Sequence, residues 1–65
     1  MNFEASEHLE SAEQKAQQLT AIAIAAGESA QALDQTTLAL CLQVIERLGR
    51  ECSSHIASAE TMLSN

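Results

Sequence analysis

Few residues in this chain could carry chemistry. Carboxylates aside, His8, Cys52 and His55 are its plausible metal ligands. Cys52 and His55 make a Cys-x-x-His half-site, three residues apart and so on one face of a helix. A thiol beside an imidazole is also the pairing a nucleophilic cysteine requires. Zinc sites usually take four ligands at tight spacing, and one half-site falls short of that. Nucleophilic catalysis needs an orienting group and a pocket around the thiol, which the architecture expected below does not offer. The sequence therefore assigns no catalytic, cofactor-binding or metal residue, no cofactor, and no enzymatic activity. No glycine-rich phosphate loop is present.

Cys41 lies eleven residues before Cys52. On one helix that is roughly 16 Å, beyond disulfide reach. Both cysteines fall among apolar residues and read as reduced core residues of a cytoplasmic protein, with a disulfide between two chains as the alternative.

The elements that carry these residues are written in a heptad pattern. Leu38, Cys41, Ile45, Leu48, Cys52, His55, Ala59 and Met62 alternate three and four apart. That is the a/d seam of a helix packed along its length on another. Leu42, Ile56 and Leu63 lie one place beyond and widen it into a face. An earlier segment carries a seam of Ala5, Leu9, Ala12, Ala16, Leu19, Ala23, Ala26, Ala30 and Leu33. Its small residues allow close approach to the bulkier second helix. Ile22 and Ile24 fall on either side of this seam, where they either form a second contact surface or widen the core stripe.

Asp34 is a strong N-cap candidate for the second helix. Gly27 is a competing stop signal for the first, although good helix formers continue past it. The pattern predicts helix 1 over about 3–32, a turn over about 33–35 and helix 2 over about 35–63. So short a turn makes the arms antiparallel, with facing positions whose numbers total about 67. His8 then falls within about a turn of His55. Glu4, Glu7, Glu10 and Glu13 favour the N-terminal end of helix 1 through the helix dipole, or form a docking patch for a basic partner. The pairs Glu46–Arg50 and Arg47–Glu51 support helix 2. Gly49, beside the seam, costs about 1 kcal/mol against Ala in a helix interior, and either allows another helix to approach closely or is tolerated without purpose.

The chain has 65 residues, no Pro, a single aromatic residue and a net charge of −6. The length restricts it to one domain with a small core. The acidity disfavours nucleic acid and anionic membranes as partners and is compatible with a basic partner surface. The apolar run from Ala21 to Ala26 is far short of a membrane span. The acidic N-terminal segment is unlike a signal peptide, so a cytoplasmic location is expected.

The expected fold class is therefore all-α: an antiparallel, coiled-coil-like two-helix hairpin, completed to a bundle by self-association or a partner. Leu38, Leu42, Ile45, Leu48, Ile56 and Met62, with Leu9 and Leu19, are expected to close the hairpin. Ile22, Ile24, Leu40 and Val44 are expected to offer the outer, partner-binding contact. The partner is either another protein or a second copy of the chain. In length, equal arms and layout the chain resembles the small helical-hairpin co-chaperones of type III secretion needle subunits. That resemblance implies a non-enzymatic adaptor that docks a helical partner. It also resembles the Rop-type dimeric hairpin, from which only the architecture carries over, because no basic face for RNA exists here. A homodimeric four-helix-bundle regulator, or a phage-type inhibitor of a host protein, is the second functional expectation.

Overall fold

The computed structural model describes residues 2–64. Two helices, α1 (Phe3–Ser29) and α2 (Gln35–Ser64), pack along their lengths as an antiparallel hairpin measuring 48 × 14 × 11 Å. There is no strand among the described residues, as a chain rich in Ala, Leu, Gln and Glu dictates.

Each helix begins at a side-chain cap. Asn2 Oδ1 accepts from the Ala5 amide at 2.7 Å, and its Nδ2 donates to the Met62 carbonyl at 3.3 Å. One residue thus caps α1 and ties it to the end of α2. Asp34 Oδ1 accepts from the Thr37 amide at 2.6 Å, which makes it the expected cap of α2. Hydrogen bonds from Thr37 hold the Asp34 carboxyl below its ordinary value. Of the four N-terminal glutamates, only Glu4 lies in the first turn of α1, where the helix dipole acts.

The turn differs from the sequence expectation. α1 ends at Ser29 and residues 30–34 form the connection, so the reversal starts about three residues earlier than expected. Ala32 and Leu33 both donate to the Ser29 carbonyl, at 2.9 and 3.0 Å, and Ala30 keeps a right-handed helical conformation. No described residue has a positive φ, so Gly27 is an interior residue of α1 and no glycine cap is used. Leu33 is half-buried, which ties the connection to the hairpin. The earlier reversal shifts the register. Residues that meet across the hairpin have numbers totalling about 64, as in Asn2–Met62, His8–His55 and Ala12–Cys52, instead of 67.

The core is small. Its fully buried residues are Ala5, Ala12, Ala26, Leu48 and Ala59. Leu48 is the one large side chain among them, packed where α1 supplies alanines and lets the helices close.

Candidate interaction surface

The stripe that the hairpin buries is rotated from the stripe that the sequence writes in apolar residues. On α1 the residues beside buried Ala5, Ala12 and Ala26 are His8, Lys15 and Ile22, all half-buried. The expected neighbours Leu9 and Ala23 are exposed, and Ala16 is half-buried. On α2 the seam widens toward Val44, Glu51 and Ser58, again half-buried. The expected widening column is the exposed one: Leu42 is 57% accessible, Ile56 40% and Leu63 52%. Leu42, Ile56 and Leu9 therefore do not close the hairpin.

Polar pairing explains the rotation. Lys15 Nζ meets Glu51 Oε2 at 3.1 Å. That oxygen is shielded from solvent, but the two side chains are about a third exposed, so this is a surface ion pair with one covered oxygen. Hydrogen bonding from Lys15 is the main reason that the Glu51 carboxyl is held below its ordinary value, with the charges of Lys15, Arg47 and His55 adding to it against a desolvation cost. His8 Nδ1 meets His55 Nδ1 at 2.9 Å. The ring centres are 5.1 Å apart, longer than the nitrogen separation by about two ring radii, so the nitrogens point at each other along the line of centres. Such a bond needs one Nδ1–H and one bare Nδ1, hence at least one neutral ring. Both pairs lie on the same side of the helix contact and draw the arms together there.

The candidate ligands are thus engaged. His8 and His55 satisfy each other. Cys52 Sγ lies 3.4 Å from the Ala12 carbonyl as a donor and does not join them. Cys41 and Cys52 are both free thiols and half-buried. Among the described residues no group of three or more His, Cys, Asp or Glu is placed to hold a metal ion. No helix among them is long and apolar enough to cross a membrane.

The four residues expected to bind a partner fall in three places. Ile22 is half-buried and borders a groove at the turn end with Ala26, Leu33 and Cys41, within the hairpin's own packing. Ile24 is exposed on the back of α1, bordering a groove with Glu13, Ala16, Gln17 and Thr20. Leu40 is exposed and Val44 half-buried, and they share a groove with Glu46, Arg47 and Arg50 on α2. In that groove the Arg50 guanidinium pairs with Glu46.

A different set does come together. Columns displaced in the same sense on two antiparallel helices fall on the same side of the pair. Leu9, Ala16 and Ala23 of α1 therefore share a face with Leu42, Gly49, Ile56 and Leu63 of α2. Leu9 lies level with Ile56, Ala16 with Gly49, and Ala23 with Leu42. The sequence signal for this face is the heptad column beyond the α2 seam, which periodicity alone assigns to the core. Comparisons of the chain with protein-family models, curated proteins and solved structures give no significant match.

Proposed function

We propose that this chain is a non-enzymatic protein–protein interaction module, an adaptor-type hairpin that docks a helical partner through an apolar helix face. The carrying observation is the overhang of both apolar stripes on one side, with Leu42, Ile56 and Leu63 exposed while Leu48 is the only large buried side chain among the described residues. An exposed contiguous apolar face of this kind marks an interaction site. The acidic balance supports a protein partner over nucleic acid. The engagement of His8, His55 and Cys52 with one another's helices supports a role without catalysis. Two free thiols support a reducing, cytoplasmic setting.

The test is a thermal melt over a range of concentrations, paired with binding of a hydrophobic dye. An interaction module shows a melt that sharpens and rises with concentration, or an exposed face that binds dye. A monomer with a sharp, concentration-independent melt and no dye binding would refute the proposal. Its narrower form, a secretion co-chaperone, rests on length and layout. It predicts that coexpression keeps a type III secretion needle subunit soluble, and unchanged needle solubility would remove it. The reading as a homodimeric bundle regulator is favoured by the shape of the apolar face.

A further inference from the structure

We infer that the face formed by Leu9, Ala16, Ala23, Leu42, Gly49, Ile56 and Leu63 is covered by a second copy of this chain, which makes an antiparallel four-helix bundle. The inference rests on the protein-interaction reading and names the partner of that surface.

The first argument is area. The chain exposes 4690 Å². A compact monomer of 6.9 kDa exposes about 4,000 Å² by the usual mass scaling. The excess, roughly 700 Å², matches one 48 × 14 Å face of the hairpin. Two copies laid face to face cover about 1,400 Å² together, within the range of a specific interface.

The second argument is shape. The face is bulky toward the helix ends at Leu9, Ile56 and Leu63, bulky again at Leu42, and narrow between them at Ala16 and Gly49. A two-fold axis in the plane of the interface, crossing the helices at the narrow level, sets α1 antiparallel to α1 and α2 antiparallel to α2. Leu9 of one copy then meets Ala23 of the other, Ile56 meets Leu42, and the small residues meet at the axis. Interfaces of this symmetry require such self-complementarity. The column that the lone hairpin leaves out becomes the core of the bundle. That is why the apolar stripe of each helix points beside its partner helix, not at it.

The third argument is Gly49. A Cβ built there meets nothing within 4 Å. The hairpin itself makes no use of the missing side chain, although glycine weakens a helix interior. At the two-fold axis the same absence lets two α2 helices approach closely.

The fourth argument is charge. With a net charge of −6, a second copy is acceptable only if like charges are kept apart. In this arrangement the rim places Glu46 opposite Ser53, Glu60 opposite Ala39 and Glu13 opposite Thr20. No glutamate of this rim faces another.

Light scattering and sedimentation equilibrium over micromolar concentrations test the inference, with circular dichroism on every variant. Wild type is expected to be a dimer. Ile56→Asp and Gly49→Leu are each expected to raise the dissociation constant at least about tenfold. Leu40→Asp, exposed on another side of α2, is expected to leave it unchanged. Gly49→Leu guards against unfolding as the cause, because leucine strengthens the helix, an added Cβ meets nothing within 4 Å there, and circular dichroism reports the fold directly. A dimer weakened by Leu40→Asp and indifferent to Ile56→Asp and Gly49→Leu would overturn the assignment of the face while leaving an interaction module. A monomeric wild type that binds hydrophobic dye, with binding lost in Ile56→Asp, would overturn the second copy and leave the surface to a foreign helix. A monomer that binds no dye and melts independently of concentration would overturn both readings.

Discussion

At the scale of single residues, polar pairs set how the two helices face each other. His8 and His55 share one hydrogen bond across the seam at 2.9 Å, and neither ring has a better partner in the hairpin. Replacing His55 by Leu leaves the His8 Nδ1 unpaired and half-buried, and should cost about 1 kcal/mol. Replacing both histidines by Leu should recover most of that loss, and urea melts of the two singles and the double give the coupling directly. The carboxyls of Asp34 and Glu51 are both held below their ordinary values of 3.8 and 4.5. A lowered folded-state pKa gives stability that is present above the unfolded value and lost as pH falls through the folded one. The stability that these two carboxyls contribute should therefore be lost as pH falls below about 4.5, and Asp34→Asn together with Glu51→Gln should flatten that part of the drop in melting temperature. Cys52 is engaged with the Ala12 carbonyl, so thiol-reactive reagents should modify it slowly in the folded protein and quickly in urea.

At the scale of the helices, stability is concentrated in few places. Leu48 is 3% exposed. Leu48→Ala should cost about 3 kcal/mol, because it removes the one large buried side chain among the described residues and leaves a cavity. Gly27 and Gly49 make a controlled pair. An added Cβ meets nothing at either position. Gly27→Ala should stabilise α1 by roughly 0.5–1 kcal/mol from helix propensity alone. Gly49→Ala should give the same gain in a lone hairpin and less, or a loss, where the two copies approach at that level. Equilibrium melts of both variants at two protein concentrations separate the cases.

At the scale of the whole molecule, the hairpin has a small core. Among the described residues it buries four alanines and one leucine, which is little apolar surface to set against the ordering of two long helices. Its melting temperature should rise with concentration, because anything that binds the folded form alone adds stability by mass action. The two sides of the pair differ. One side is zipped by Lys15–Glu51 and His8–His55, and the other is left apolar and open.

Much of this was legible in the residues. The heptad runs, the absence of proline and the cap at Asp34 determine two antiparallel helices, because backbone periodicity and end-capping are local properties. The other cap lies outside the heptad pattern but carries a signal of its own: Asn2 is an Asx residue immediately before a helical run, which is the usual N-cap signal. The opposition of His8 and His55 also followed from the layout, although their direct bond depended on a register set by the five-residue turn. What only the tertiary structure decided is the rotation of each helix about its own axis. A hydrophobic pattern counts apolar residues and is blind to polar ones that pair, half-buried, across the contact. The pattern on α1 pointed to Leu9 and Ala23, whereas the packing chose His8, Lys15 and Ile22. On α2 it pointed to Leu42 and Ile56, whereas the packing chose Val44, Glu51 and Ser58. The sequence by itself determined the hairpin. The structure decided which apolar residues that hairpin leaves uncovered, because helix rotation is settled by pairwise contacts between distant positions and not by the period of either helix alone.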